Sequence, residues 1–438
     1  MPTNHSLRIE SALPLVAQPP LRTCEVCVIL PARDEGGRIE KCLLALVHQI
    51  DVRRVPINPG RYEVIVLANN CRDDTAALAR AFGRRHPQLA LHVVVLHFSP
   101  EKSFVGFARK LLMDEAYRRF HLLGRPKGII ASTDGDTFVE PTWLAGILQE
   151  IDAGADGVGG RIVADPSERL LLHPSAERTY LRQVAYGFLL AELEHLIDPD
   201  PFDPFPRHPN HNGASLAITA ATYVRIGGLP DVPEEEDSAL YKAIIRSGAR
   251  FRHSLGVRAT TSARLDGRVE HGFSAGLRLF SNLEQCSPSL LVENVSASEV
   301  RLRARRTVRE LWQEVQVKRT LSASQVEPVA RLLAISPSWL SHEITRPQPW
   351  GQLVERIDLR QTTEGEWERF WPKMFLERAL AGLRIRVSNL RKRLGRSASP
   401  PQRIVPLAGQ SRPQIIPVME GDRERRCDTS LFSHGTGD

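Results

Sequence analysis

The sequence predicts an α/β domain with a mostly parallel sheet and helices on both faces, followed by an α-helical C-terminal region. From residue 25 to about 272, short runs of Val, Ile and Leu alternate with segments whose apolar residues recur every three or four positions. Strands that alternate with helices of ten or more residues form parallel sheets. After residue 272 the strand pattern stops, while helical periodicity continues.

Apolar runs predict the strands, and amphipathic segments predict the helices between them. Predicted strands are 26–30, 62–68, 91–96, 128–132, 157–163 and 214–218. Predicted helices are 38–49, a segment through 78 and 82, 104–122, one from 141, 179–197, 220–226 and 237–247. The Pro-rich segment 198–209 cannot form either regular structure, so it is predicted as a loop that walls or covers a substrate site.

The same patterns predict four parts of the chain. Residues 1–24 form a flexible lead-in, 25–272 the α/β domain, 273–396 the helical region, and 397–438 a disordered tail. No apolar run approaches the roughly 20 residues that a membrane span needs. The N-terminus lacks the basic and apolar stretches of a signal peptide, so a cytoplasmic location is expected.

Most of the positive charge lies at the C-terminus. The chain has 58 Lys and Arg against 51 Asp and Glu, a net of +7, and residues 381–438 alone hold 11 basic and 5 acidic side chains, a net of +6. Residues 1–380 therefore have a net charge of only +1. An enzyme acting on nucleic acid carries its basic surface on the folded body, so no nucleic-acid partner is expected.

The segment 376–394 has a heptad-type apolar stripe with Arg and Lys between its members. The stripe consists of Leu376, Leu380, Leu383, Val387, Leu390 and Leu394. One interpretation is a helix that docks on the body or forms the seam of a homodimer. The other is a basic amphipathic helix that rests on the inner membrane surface.

Polar clusters follow three predicted strands. Residues 33–35 follow the first strand, 69–74 the second, and Asp134-Gly-Asp136 the fourth. Ligands of open parallel sheets bind beyond the carboxyl ends of the strands. Two carboxylates separated by one small residue can bind a hard divalent cation together with phosphate oxygens, although Asp and Gly are also ordinary turn residues.

A second acidic cluster, 234–237, begins a predicted helix. Acids at a helix N-terminus are favoured by the helix dipole, but four in succession exceed that need because like charges repel. A carboxylate here that faced the cleft could act as general base toward a hydroxyl. His208 and His211, which flank Pro209 and Asn210 in a loop, are expected to be solvated, with contact to the acceptor site or a metal as the alternative.

Four segments resemble, in order, the family 2 glycosyltransferases with the GT-A fold. The first runs from Val28-Ile-Leu-Pro-Ala-Arg-Asp-Glu to Leu43, and the second comprises 62–67 with 73–75. The third, Ile130-Ala-Ser-Thr-Asp-Gly-Asp-Thr with 141–144, is similar to the family's metal-binding DxD strand and the helix after it. The last, 212–237, resembles the acceptor-side segment that ends in a catalytic carboxylate. The resemblance covers about residues 25–265.

The resemblance implies a GT-A fold, which is Rossmann-like, and a sugar transferred from a nucleotide-diphosphate donor to an acceptor hydroxyl with inversion. Asp134 and Asp136 would hold Mg or Mn, Asp237 would be the base, and Glu236 would support it. Donor contacts are expected from Pro31, Arg33, Glu35, Asn69, Arg109, Asp134, Arg264 and Arg268. For Arg264 and Arg268 a solvated basic loop is the alternative, and for Arg109 a surface helix pair.

Departures from the family pattern refine the expectation. Asn69 stands where many members have an acid that contacts the nucleobase, so the base is not predicted. The Gln-x-x-Arg-Trp motif of processive synthases is absent, which favours a single transfer. Two other classes remain open: a nucleotidyltransferase that makes a sugar nucleotide, and a non-catalytic scaffold that acts through the basic C-terminal helices.

Overall fold

The computed structural model describes residues 13–267, 272–285 and 290–395. The described residues up to Leu394 form one compact unit. Residues 13–24 lie against the sheet domain, with Val16 and Cys24 buried. The proposed tail from 397 onward lies outside the described residues, and the four-part division of the chain stays a prediction.

An eight-stranded sheet forms the centre of the protein. Its strands lie in the order β3-β2-β1-β4-β7-β6-β8-β5. They are β1 Val26–Ala32, β2 Tyr62–Asn69, β3 Ala90–Leu96, β4 Ile129–Ser132, β5 Thr137–Val139, β6 Gly157–Ala164, β7 Leu216–Thr219 and β8 Phe251–Thr261. Strands β3, β2, β1 and β4 are parallel to one another, and β6 is parallel to β8. Strand β7 is antiparallel to β4 and to β6, and β5 is antiparallel to β8. The predicted mostly parallel sheet is confirmed.

Helices cover both faces of this sheet. They are α1 Ile39–Val47, α2 Thr75–Arg85, α3 Val105–Leu122, α4 Trp143–Asp152, α5 Pro166–Arg169, α6 Pro174–Ile197, α7 Ala220–Arg225 and α8 Glu236–Arg246. One apolar core joins the sheet to α1, α2 and α4, and a second joins its other face to α3, α7 and α8. Strands β1, β2 and β4 are buried along their whole length, which explains their continuous apolar sequence.

The C-terminal region is helical, as predicted. Its elements are α9 Phe273–Gln285, β9 Leu291–Val292, α10 Val295–Gln316, α11 Ala323–Leu332, α12 Pro337–Thr345, α13 Trp350–Glu364, α14 Glu366–Phe370, β10 Met374–Phe375 and α15 Leu376–Arg393. The short antiparallel pair β9 and β10 was not expected. Neither was β5, whose three residues are too few to show a strand period.

Helix α15 packs its apolar stripe against α6. Leu376, Leu380, Leu383 and Val387 are buried, and Leu383 and Val387 share a core with Leu193 of α6. Docking on the body therefore accounts for most of the stripe, while the homodimer and membrane contacts stay predictions. In the described part of the chain, none of the helices combines the length and the apolar character needed to span a bilayer.

Candidate active site

The Asp134-Gly-Asp136 turn lies directly after β4, between the ends of β1 and β7. The amide of Thr137 donates to the carbonyl of Asp134 at 3.1 Å, which closes the turn. A Cβ on Gly135 would lie 2.9 Å from Cγ of Glu35 and 3.2 Å from Cβ of Ala32. Position 135 must therefore be glycine for the two Asp side chains to sit this close to the end of β1.

Arg264 joins two of the predicted site carboxylates. Its Nη2 lies 2.6 Å from Oε1 of Glu35 and 2.9 Å from Oδ2 of Asp136, and its Nη1 donates to Oε2 of Glu35 at 2.9 Å. Glu35 is also fixed through its backbone, whose amide donates to Oγ1 of Thr75 at 2.7 Å. Two carboxylates that follow different strands thus share one guanidinium.

Carboxylates are crowded around Asp136. Burial and the charges of Asp134 and Glu35 raise the pKa of Asp136 from 3.8 to about 6, although Arg264 and Arg38 oppose the rise. A group of negative charges that raises a pKa in this way favours a bound cation. Because the donors are carboxylate oxygens, they suit a hard divalent ion such as Mg or Mn.

Arg109 of α3 lies beneath the site and is almost fully buried, with 3% of its surface exposed. Its Nη2 donates to Oδ1 of Asp134 at 2.9 Å and its Nε to Oε1 of Glu236 at 3.1 Å. Further bonds reach the hydroxyl of Ser132 and the carbonyl of Gly213. Burial would lower the pKa of Arg109, but Asp134, Glu236 and Asp237 outweigh it and keep the guanidinium charged. The predicted surface alternative for Arg109 is wrong, because its contacts are internal.

Glu236 and Asp237 begin α8 and face different surroundings. Glu236 is buried and pairs with Arg109, whereas Asp237 is partly exposed. Oδ2 of Asp237 accepts the backbone amide of Gly213 at 3.0 Å and the side-chain amide of Asn212 at 3.4 Å, and Oδ1 accepts the amide of Ser238 at 2.7 Å. Asp237 is therefore held in place by neutral donors with part of its carboxylate toward solvent.

The other predicted donor contacts lie along the ends of β1 and β2. Pro31 is buried within β1, and Asn69 is buried as the last residue of β2. Arg33 is partly exposed and donates to the backbone and hydroxyl oxygens of Ser103 at 3.2 Å. Arg268 lies outside the described residues. Their roles as donor contacts stay predictions.

Near the same edge, Asp34, Cys71 and Asp73 bring three potential metal-ligand atoms within 4.8 Å of one another. Their bonds tie the loops after β1 and β2 together: Asp34 accepts the amide of Arg72 at 2.6 Å, and Asp73 accepts that of Gly36 at 2.8 Å. Burial raises the pKa of the Cys71 thiol, so it is a poor metal ligand. The cluster fixes the loop conformation beside the site.

The expectation that His208 and His211 are solvated is wrong, because His208 is fully buried and His211 is only partly exposed. Nε2 of His208 lies 3.1 Å from the carbonyl of Ser254, and Nδ1 accepts the amide of Asn210 at 3.0 Å. Burial, aided by His253, lowers the pKa of His208 to about 3. The ring is thus a neutral structural group that anchors the loop leading to Asn212.

A chain of ion pairs holds the same loop against the helices, and the sequence did not reveal it. Arg207 pairs with Asp203 at 2.8 Å and with Glu194 of α6. Glu194 also pairs with Arg305 of α10, and Arg305 with Asp198 at 2.6 Å. The acidic residues of the Pro-rich segment were a signal, but their partners come from distant elements that no local pattern indicates.

Comparison with known proteins decides the family. Residues 27–201, which contain most of β1, the Asp134-Gly-Asp136 turn and all of α6, match the sequence profile described as Glycosyl transferase family 2. This part of the chain is a family 2 glycosyltransferase domain. The family predicted from the sequence motifs is confirmed, and Asp134 and Asp136 lie within the match, whereas Glu236, Asp237 and Arg264 lie after it.

A curated relative and two solved structures resemble this chain. The glycosyltransferase AglE of Haloferax volcanii is 28% identical over 138 residues, which is 31% of this chain and 39% of AglE. The chain thus matches well under half of that relative. The mannosyltransferase PcManGT from Pyrobaculum calidifontis, solved with GDP-Man and Mn2+, is 17% identical with a TM-score of 0.38, and the match covers 88% of this chain and 91% of that one. TarS 1-349 of S. aureus, solved with UDP, is 15% identical with a TM-score of 0.39, and the match covers 78% of this chain and 92% of that one. Likenesses this loose carry no conclusion about the site.

Proposed function

We propose that the protein transfers one sugar from a nucleotide-diphosphate donor to an acceptor hydroxyl, with inversion at the sugar. The observation that supports this most strongly is the pair of bonds from Arg109 to Asp134 and to Glu236. Through this one buried side chain, the turn expected to hold the donor's metal is fixed relative to the start of α8, where Asp237 lies. The sugar donor and the general base of one reaction must be held at a fixed distance and orientation.

Asp134 and Asp136 are the proposed ligands of Mg or Mn. Oδ1 of Asp134 is used by Arg109 and Oδ2 of Asp136 by Arg264, so each carboxylate keeps lone pairs for a cation. When bound, the ion neutralises charge on the donor diphosphate as the leaving group departs. Arg264 and Arg33 are the proposed hydrogen-bond donors to the same diphosphate, which requires Arg264 to exchange one carboxylate partner for phosphate.

Asp237 is the proposed general base. The amides that hold it are neutral donors, so they orient the carboxylate without supplying a competing cation. A carboxylate in this state can take the proton of an acceptor hydroxyl as that oxygen attacks the sugar. Glu236 is unsuited to the role because it is buried against Arg109, and it supports the base by fixing the first turn of α8.

Donor binding is the first test. A thermal-shift panel of UDP, GDP and their sugars, with and without Mn, is measured on the wild type, Asp136→Ala and Asp152→Ala. Asp152 is an exposed aspartate at the far end of α4 and serves as the matched control. One nucleotide should stabilise the wild type and the control only with metal, and Asp136→Ala should lose the effect. Stabilisation that survives Asp136→Ala would remove the metal assignment.

The base assignment needs a separate variant. Once a donor is known, Asp237→Asn should bind it as well as the wild type does but transfer or hydrolyse its sugar about a hundredfold more slowly. Glu236→Gln should instead lower the stability of the fold, because it weakens a buried ion pair. Full activity in Asp237→Asn would show that another group is the base.

A further inference from the structure

Two arginines lie side by side on the sheet without a carboxylate partner. Arg161 of β6 and Arg258 of β8 are direct neighbours in the parallel register. They meet because β8 bulges between the pairs Gly160 with Ser254 and Arg161 with Arg258. In the described part of the chain, neither guanidinium forms an ion pair. Arg252, on the same strand, pairs with Asp203 at 2.9 Å.

Arg161 lies in a partly buried place against an aromatic ring. Its guanidinium lies over the ring of Phe188 of α6, with 5.4 Å between the guanidinium carbon and the ring centroid. Burial lowers the pKa of Arg161, and the charge of Arg258 lowers it further. Two cations that repel each other in a partly buried place would both be stabilised by a bound anion.

The place is open enough for a ligand. Arg258 is exposed, Arg161 is partly exposed, and residues 184–190 in the middle of α6 are all partly exposed. Neither arginine side chain is reached by an acidic group from α6, whose Glu192 and Glu194 pair instead with Arg391 and with Arg207 and Arg305. Arg161 and Arg258 therefore form a cationic patch beside α6 that reaches solvent.

Strand register relates this cationic patch to the candidate active site. Ser132 of β4 pairs with Leu216 of β7, and Leu216 with Gly159 of β6. Since β7 is antiparallel to both neighbours, β4 and β6 run in the same direction. Asp134 lies two residues beyond Ser132, and Arg161 two residues beyond Gly159. Two interstrand spacings place the backbones of Ser132 and Gly159 about 10 Å apart.

The acceptor-side segment connects the two places. A Cβ on Gly159 would lie 2.6 Å from the carbonyl oxygen of Asn210, so the segment passes directly over β6 next to Arg161. Two and three residues later, Asn212 and Gly213 bond Asp237. A molecule lying along this segment can thus have one end at the two arginines and the other at the proposed base.

We propose that Arg161 and Arg258 bind a phosphate group of the acceptor, whose hydroxyl is presented to Asp237. This inference rests on the proposed function, which it deepens by naming the acceptor class. Phosphate suits the site because its two charges match the two guanidinium groups, which donate in pairs to phosphate oxygens. The group belongs either to a soluble phosphate ester or to a phospholipid headgroup, since both present the same chemistry.

Inorganic phosphate is the first probe. Thermal shifts of the full chain are recorded without metal, at constant ionic strength, for the wild type, Arg161→Gln and Arg258→Gln. Arg331→Gln is the control, because Arg331 is a largely exposed arginine of α11 in a surface ion pair. Phosphate should stabilise the wild type and the control saturably, and each of the other variants should weaken the apparent affinity about tenfold or more. Arg258→Gln decides the case if Arg161→Gln fails to fold, because Arg258 is exposed.

Two further arms identify the source of the phosphate. Glycerol 3-phosphate that binds with the same dependence on both arginines supports a soluble ester. Binding to phosphatidylcholine vesicles containing phosphatidic acid, lost in Arg258→Gln, supports a headgroup. Equal phosphate affinity in all variants, or equal stabilisation by acetate, overturns the proposal.

Nucleotide binding separates this proposal from the proposed function. A nucleoside diphosphate with Mn should bind equally to the wild type and to both arginine variants, since neither arginine contacts Asp134 or Asp136 in the structure. If that binding is present while phosphate has no effect on the wild type, the phosphate site is wrong and the transferase assignment is untouched.

Discussion

Oδ1 of Asp134 and Nη2 of Arg109 lie 2.9 Å apart, and the same guanidinium holds Glu236 on its other side. Arg109 is therefore a positioning residue between two parts of the candidate site that are about a hundred residues apart in the chain. Its location beneath the carboxylates means that removing it leaves two acids without their cation.

Replacing Arg109 should cost both stability and site geometry. Arg109→Met leaves the buried Glu236 and the partly exposed Asp134 without their cation, and the expected loss is about 3–5 kcal/mol in the free energy of unfolding. Urea unfolding of the two proteins measures it. Arg331→Met, which removes only a surface i,i+4 pair, should cost at most about 0.5 kcal/mol. A similar small cost for both variants would show that Arg109 does not carry this network.

Gly135→Ala tests the close packing of the DxD turn. The added Cβ would meet Glu35, whose carboxylate is fixed by Arg264, so the turn must shift. We expect a loss of about 1–3 kcal/mol on urea unfolding, together with weaker Mn-dependent nucleotide stabilisation. Gly37→Ala is the matched control, because no atom lies within 4 Å of its Cβ position. Unchanged nucleotide binding in Gly135→Ala would argue that the turn has no part in the metal site.

The buried His208 predicts a dependence of stability on pH. Its pKa is about 3 in the folded protein against an ordinary value of 6.5, so between these values the unfolded chain binds a proton that the folded chain does not. Stability should therefore fall as the pH is lowered from about 6.5 toward 3, by up to about 1.4 kcal/mol per pH unit from this group. Protonation of Nδ1 would also break the bond from the amide of Asn210.

Unfolding free energies of the wild type and His208→Asn between pH 7 and 5 provide the measurement. The variant should show a shallower loss, because its amide keeps a donor and an acceptor without titrating. His48→Asn, at an exposed position, should keep the slope of the wild type. Parallel curves for the wild type and His208→Asn would contradict the assignment of a neutral buried ring.

Arg305 connects the C-terminal helices to the acceptor side. It pairs with Glu194 and Asp198, and Glu194 pairs in turn with Arg207 of the Pro-rich segment. Arg305→Met should destabilise the fold by about 1–3 kcal/mol, because Glu194 and Asp198 keep Arg207 and Arg309 as partners but each loses one charge-assisted hydrogen bond. Arg303→Met on the same helix is the control, because Arg303 is half exposed and pairs only with Glu299. Calorimetric melting of both variants tests the difference, and equal melting temperatures would refute it.

Local sequence patterns were sufficient for strands β1, β2, β3, β4, β6 and β7 and for the turn that carries Asp134 and Asp136. Buried strands β1, β2 and β4 require continuous apolar residues, and the polar clusters follow where these strands end. Glu236 and Asp237 were likewise visible as an acidic start of a helix. Each of these features depends on neighbours within a few residues.

Partners that are distant in the chain were not predictable from the sequence. Arg264 meets Glu35 across 229 residues, and Arg109 meets Glu236 across 127. Periodicity reports whether a side chain is buried but not which group it meets there. The same limit explains why His208 was expected in solvent, because Pro-rich loops are usually exposed and only the packing against Ser254 buries this one.

The bond between Arg264 and Asp136 makes cation binding an exchange. A divalent ion that approaches Asp136 competes with a counter-ion supplied by the protein itself, which already neutralises part of the acidic cluster. Affinity for the bare ion is thereby reduced, whereas a donor that brings its own diphosphate offers the displaced guanidinium a new anion. The ion and the nucleotide should for this reason bind better together than either does alone.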